Sequence, residues 1–290
     1  MYVIAGATGN TGHVVASTLL EQGKSVTVLV RDAGKAAVWR KKGAQVAAAS
    51  LEDAKALGAV LAGAEGAYLI VPPNYATPDL LETNFGVADR LAEAVKASAV
   101  GNVVFLSSIG AQHEGGTGPI RGLHHAEKVI SAAARNVTFV RAAYFLQNWA
   151  PNLAGARADG VLHNFLTADR KIPMVSVVDI GRTAARYLLE PANGRRVVEL
   201  AGPEDYSPRD IAKVLVAALG KPVKLETHPV EAAGPTLTAM GFQEGTARLY
   251  AEMLGGINSG HVDYEGAGAT FVRGSVTVAE AIGEMLGRQA

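Results

Sequence analysis

The segment Gly6-Ala7-Thr8-Gly9-Asn10-Thr11-Gly12 is the first stretch whose residue types and spacing point to chemistry. An apolar run, Tyr2–Ala5, leads into it and a helix-like stretch leads out. Glycine at position 6 allows a tight turn. Glycine at 9 lets backbone approach an anion with no Cβ in the way, and glycine at 12 lets the helix sit close to the strand. The helix N-terminus behind the loop offers free N–H groups and the positive end of a dipole. Together these features bind the pyrophosphate of a dinucleotide. The spacing is Gly-x-x-Gly-x-x-Gly, and no Gly-Lys-Ser/Thr follows as in a mononucleotide P-loop. Arg31 falls nineteen residues after Gly12, where an NAD-binding chain places an acid for the ribose 2′-OH. A guanidinium there suits a 2′-phosphate through forked, charge-assisted hydrogen bonds, and Lys35 adds a second positive charge. NADP(H) is therefore the expected cofactor. In the alternative, Arg31 is solvated and Asp32 takes the ribose.

These residues need a scaffold, and the pattern supplies one. Strand-like runs at Tyr2–Ala5, Ser25–Val30, Gln45–Ala48, Ala67–Val71, Asn102–Leu106 and Val137–Arg141 are apolar on both faces, as buried parallel strands are. Helix-like stretches separate them at Thr11–Gln22, Gly34–Lys42, Asp53–Leu61, Asp79–Ser98 and Gly122–Ala134. Six such repeats predict an α/β fold with a Rossmann-type, doubly wound parallel sheet in the order 3-2-1-4-5-6. The carboxyl ends of these strands then place further cofactor contacts. Ser50 and Leu51 follow the third strand near the adenine, Val71 and Pro72 end the fourth over the cofactor's middle, and Ser107 and Ser108 end the fifth beside the nicotinamide.

After about Tyr144 the rhythm changes. Residues 144–176 read as irregular, broken by Gly155, Gly160 and Pro173. Asp179 is expected to cap a helix over Ile180–Glu190, Val197–Ala201 reads as a strand, and Ser207-Pro208 opens a helix to Leu219. Val223–Thr227 reads as a strand, with helical segments near Val230–Ala239, Gln243–Leu254 and Val278–Arg288. The expected organisation is a cofactor domain over residues 1–150, completed by 178–202, and a smaller interleaved substrate lobe within 151–290.

Composition narrows the function. Lys and Arg number 27 and so do Asp and Glu, so no basic excess marks a nucleic-acid binder. The chain has no cysteine, which removes disulfides, thiolate nucleophiles and cysteine zinc sites. No apolar run reaches the ~20 residues of a membrane span, and the N-terminus lacks a basic leader. A cytoplasmic protein is expected. His113, His124 and His125 lack a second cluster to complete a metal geometry, so no metal site is read.

The phosphate loop, Val28-Leu29-Val30-Arg31-Asp32, Val103–Ser108, Lys128 and Val178-Asp179-Ile180-Gly181 together resemble the atypical, NmrA-like branch of the short-chain dehydrogenase/reductase superfamily. The resemblance covers nearly the whole chain. It implies NADP(H) binding and a function as either an NADPH:quinone reductase or an NADP(H)-sensing regulator. Ser50 departs from the Asp-Leu often found there. Ordinary members of the superfamily carry Tyr-x-x-x-Lys on the helix after the fifth strand, the Tyr donating a proton and the Lys holding the ribose. Here Lys128 keeps its place, but His124 stands where the Tyr belongs. His124 is then either a proton donor, since imidazole titrates near neutrality, or a plain helix-surface residue. A quinone asks for less, because hydride reaches an electron-poor ring and the oxygen takes a proton from solvent. Tyr144 and Phe145, after the sixth strand, either wall an apolar cleft for a flat substrate or pack the core. The leading expectation is hydride transfer from NADPH to a quinone or similar small electron acceptor. The alternatives are a non-enzymatic sensor with a protein partner and a reductase or isomerase of one metabolite. Oligomeric state is left open.

Overall fold

The computed structural model describes residues 1–30 and 33–288. Arg31 and Asp32 lie outside the described residues. Lys35 lies on a described helix, but its side chain does not.

The first half alternates strand and helix: β1 (Tyr2–Ile4), α1 (Asn10–Glu21), β2 (Val26–Val30), α2 (Ala33–Lys41), β3 (Gln45–Ala48), α3 (Ala54–Leu61), β4 (Gly66–Leu69), α4 (Leu80–Ser98), β5 (Val103–Ser108), α5 (Ile120–Ala133) and β6 (Val137–Ala142). The second half adds β7 (Tyr144–Phe145), α6 (Ala150–Ala158), β8 (Val161–Asn164), β9 (Ile172–Val175), α7 (Val177–Leu189), β10 (Arg195–Ala201), β11 (Asp205–Tyr206), α8 (Pro208–Leu219), β12 (Lys224–Thr227), α9 (Ala233–Ala239), α10 (Glu244–Ser259), β13 (Thr270–Arg273) and α11 (Val278–Arg288).

The main sheet has eight strands in the order β13-β10-β6-β5-β4-β1-β2-β3, and every pairing is parallel. The expected 3-2-1-4-5-6 order is present, extended by β10 and by β13. The β13 strand hides in a glycine-rich stretch too short and too polar to read from pattern. Alternation along the strands feeds two cores. Ile4, Val28, Tyr68, Val104 and Val140 face α1 and α7, with Val15, Leu19, Ile180 and Ala184 beneath them. Val3, Leu69, Phe105 and Phe139 face the other side, against Leu57 of α3, Leu91 of α4 and Ile130 of α5. Both faces are covered, which is why the strands read as continuous apolar runs.

Three expectations need correction. Residues 144–176 are not irregular: they hold β7, a 3₁₀ turn at Leu146–Trp149, α6, β8 and β9. These elements are too short to show a period, and two of the small sheets they build (β11-β9-β7 and β12-β8) pair residues far apart in sequence. Asp179 does not cap α7. Ser176 does, its side chain accepting from the Val178 N–H, while the buried Asp179 accepts from the Ser275 and Val276 N–H groups and holds the chain that leads into α11. Finally, β4 stops at Leu69, so Val71 and Pro72 open the following loop rather than end the strand. Pro72 and Pro73 have no N–H to give a ladder.

Candidate functional site

The phosphate loop is built as its glycines demand. Gly6 has φ +65°, and a Cβ there would meet Ile70 Cδ1 at 2.5 Å. Gly12 is tighter, since a Cβ would lie 2.4 Å from Gly6 O and 2.6 Å from Ala5 O, so only glycine lets α1 leave β1 this closely. Gly9 differs. Its backbone is extended (φ −99°, ψ −173°), and a Cβ would meet only Gly6 O, at 3.3 Å. The loop therefore keeps an open space above Gly9.

The N-terminus of α1 faces that space uncapped. Gly9 is its N-cap, and among the described residues no side chain accepts from its first turn; no acid lies in that turn. α3, α4, α7 and α8 are capped by Asp53, Asp79, Ser176 and Ser207, whereas α5, α6, α9 and α10 share the uncapped start of α1 but not its glycine N-cap. An uncapped 12-residue helix behind a glycine turn is an anion site, and it fits the pyrophosphate of a dinucleotide. Ala7 is buried, while Thr8, Asn10 and Gly9 are exposed. Thr11 is buried and accepts a 2.9 Å hydrogen bond from Tyr68 of β4, which locks the loop to the sheet. Burial holds that phenol neutral by pushing its pKa up.

The remaining expected contacts line the same edge unevenly. Ser50 and Leu51 are half-buried after β3, and the Ser50 hydroxyl accepts from the Glu52 N–H. Val71 and Pro72 are half-buried beyond β4. Ser108 is half-buried, its hydroxyl donating to Ile109 O. Ser107 is spent elsewhere. It is 2% exposed and donates at 2.7 Å to Glu127 Oε1, so its proton is committed to that carboxylate.

Glu127 was missed from sequence and organises this region. Its carboxylate accepts from Ser107, from Arg141 Nε and Nη2 (2.8 and 2.7 Å) and from Arg195 Nη2 (3.2 Å). The buried pair fixes α5 against β5 and β6 and so sets the height of His124 and Lys128, which share one helix face. Lys128 is exposed. His124 is half-buried and its Nδ1–H donates to Ala111 O at 2.8 Å. That bond ties the loop after β5 to α5 and leaves Nε2 as the unprotonated nitrogen of the neutral ring.

A roof comes from the second half. The Gly118 N–H donates to Glu252 of α10, Gln112 donates to Asp263 O, and the His261 ring bonds Gly115 O. On the loop after β4, Tyr75 packs against Phe242 and Tyr250, with ring centroids 4.6 and 5.7 Å away. Tyr75 remains 43% exposed on this loop at the carboxyl end of β4. No sequence spacing marks this trio, because its members are 167 and 175 residues from Tyr75 (242 − 75 and 250 − 75). Tyr144 is half-buried on β7, edge-on to Trp149, and burial pushes its phenol up to about 12 despite a hydrogen bond to Asn148.

The profile of the NmrA-like family matches residues 2–254. The chain belongs to the NmrA-like family. It is 28% identical over 253 residues to an NAD(P)H azoreductase of Xenophilus azovorans, covering 87% of this chain and 86% of that one. It is 26% identical over 266 residues to quinone oxidoreductase 2 of Escherichia coli, covering 90% and 89%. Among solved structures, the NADPH complex of the NADPH-dependent quinone oxidoreductase from Escherichia coli superimposes with a TM-score of 0.83 at 24% identity, over 99% of this chain and 100% of that one. Among the described residues, no helix is long and apolar enough to cross a membrane.

Proposed function

We propose that this protein is an NADPH-dependent oxidoreductase that reduces quinones or similarly flat, conjugated small molecules. The observation that carries the reading is the pairing of an uncapped α1 N-terminus behind the Gly6–Gly12 loop with an aromatic roof on the same sheet edge. The azoreductase and quinone oxidoreductase relatives support it, since both names denote NAD(P)H-linked or quinone reduction. Bound NADPH supplies a hydride.

Each residue has a definable part. Gly6, Gly9 and Gly12 with the N–H groups of α1 hold the pyrophosphate. Arg31 and Lys35 select the 2′-phosphate. Lys128, exposed on α5, reaches the nicotinamide ribose and orients the ring. Tyr75 offers a face on which a planar acceptor stacks, and the neutral Tyr144 phenol offers a hydrogen-bond donor to an acceptor oxygen. His124 holds the loop after β5, and the proton that completes reduction comes from water.

Steady-state NADPH oxidation across a panel of small quinones tests the proposal. Turnover with NADPH preferred to NADH is the expected result. NADPH binding with no turnover of any acceptor overturns it and makes the protein a sensor of the cofactor.

A further inference from the structure

We propose that His163, Glu226 and His228 bind a divalent transition-metal ion of the zinc class on the outer face of the small β8-β12 ribbon. The ribbon is parallel, with His163 opposite Glu226 and Asn164 opposite Thr227. The His228 N–H continues the ladder to Asn164 O at 2.8 Å. Side chains alternate along a strand, so His163, Glu226 and His228 share one face. The other face is closed. Leu162 and Asn164 are buried there, and Asn164 bonds Thr227 Oγ1 and the Leu166 N–H.

One ligand atom from each of the three residues lies within 4.8 Å of the others. The two imidazoles already touch, His163 Nδ1 to His228 Nε2 at 2.9 Å, with rings 26° from parallel. Two nitrogens on one tetrahedral ion, at about 2.0–2.1 Å from it, sit roughly 3.3 Å apart, so the rings need part by only a few tenths of an ångström. One ring nitrogen now donates its proton to the other. On metal binding that proton moves, by exchange with water, to the second nitrogen of its own ring, and both facing nitrogens become ligands.

The donors are also held. His228 precedes Pro229, which confines its backbone to extended conformations, and the Phe165 ring packs 5.8 Å from its imidazole. Two imidazoles with one carboxylate select zinc, cobalt, nickel or copper over calcium and magnesium, which take oxygen ligands. The fourth position is left to water. The ion would clamp β8 to β12, and the chain after β8 is tied to α10 through Asn258, which bonds Phe165 O and the Thr167 N–H. Metal binding therefore steadies the far end of the roof helix without entering the hydride chemistry.

Calorimetric titration of tag-free, chelator-treated full-length protein with zinc chloride tests this. One ion per chain with a micromolar Kd is expected, with a higher melting temperature when it is bound. His163→Ala and His228→Ala should each weaken binding at least about tenfold and Glu226→Gln by several-fold, while His125→Ala, which removes a half-buried histidine on α5, leaves it unchanged. Circular dichroism confirms that each variant is folded. Cobalt gives a second readout, as the visible absorption bands of a low-coordinate ion should appear with wild type and vanish in the His163→Ala/His228→Ala double variant. No binding tighter than millimolar, or wild-type binding in folded His163→Ala and His228→Ala, overturns the proposal.

Discussion

Replacing Gly9 and Gly12 in turn separates the loop's two duties. At Gly9 the backbone is extended and a new Cβ would meet only Gly6 O, at 3.3 Å, a tight contact that a shift of a few tenths of an ångström relieves. Losing glycine at an N-cap for a poor capping residue costs about 1 kcal/mol or less. The isopropyl group would instead fill the space where phosphate oxygens meet the α1 N–H groups. A full block of that site should weaken NADPH binding by at least about 100-fold, or ~2.7 kcal/mol. At Gly12 the order reverses. Even alanine places its Cβ 2.4 to 2.6 Å from three backbone atoms of Ala5 and Gly6, none of which is the end of a flexible side chain. Overpacking of that kind costs about 1–3 kcal/mol or more, because α1 must move off β1. The assay is NADPH fluorescence titration beside urea unfolding for wild type, Gly9→Val and Gly12→Ala. Gly9→Val should keep its stability and lose its ligand, and Gly12→Ala should lose stability outright. NADPH bound by Gly9→Val within threefold of wild type would refute the loop assignment, and equal destabilisation by the two variants would refute the steric reasoning.

Arg31→Ala should cost ~1.5 to 3 kcal/mol of NADPH binding and leave NADH nearly unchanged, as read by calorimetry with both cofactors. Glu127→Ala takes the forked partner from the buried Arg141 guanidinium, whose side chain is 3% exposed, and leaves it only Glu265, so stability should fall by about 3 kcal/mol in urea titration. Under saturating NADPH, His124→Ala should keep quinone turnover within about threefold, whereas Lys128→Ala should lose about tenfold or more through a misplaced ring. Because burial holds the Tyr144 phenol neutral up to about 12, the rate should show no Tyr144-dependent fall as pH rises to ~10. A break below that pH that disappears in Tyr144→Phe would contradict it.

The cofactor half was legible because its signals are local. Gly6 to Gly12 encode a turn, an open approach and a close contact within seven residues, and the strand runs are apolar because both sheet faces are covered. The same holds for Gly181 in the Val178–Gly181 stretch, where a Cβ would strike Val14 of α1 at 2.4 Å. The roof was not legible. Tyr75, Phe242 and Tyr250 meet only after the chain has crossed the sheet, and β13 pairs with β10 through residues that carry no strand-like alternation. The surroundings of Ser107 were not legible for a similar reason. Its position at a strand end suggests a ligand contact, but its hydroxyl turns to a carboxylate whose importance depends on three partners distant in sequence.

Those partners and their neighbours tie the two halves of the chain together. Ser107, Arg141 and Glu199 stand abreast on β5, β6 and β10. Glu127 reaches the first two from α5. Glu265 takes Arg141 Nη1 at 2.5 Å, and the buried Glu199 accepts from the Glu265 and Gly266 N–H groups. A buried ion pair contributes little net stability against an apolar substitute, since desolvation offsets the attraction. It does fix geometry, because forked hydrogen bonds tolerate little sliding. In this protein the forked pair holds α5, which carries Lys128, and the third carboxylate ties down the segment that continues from His261 and Asp263, the residues that latch the loop after β5. α5 and the segment after α10 are thus registered against the same guanidinium, and displacing either one leaves Arg141 with a single carboxylate partner beneath the sheet edge.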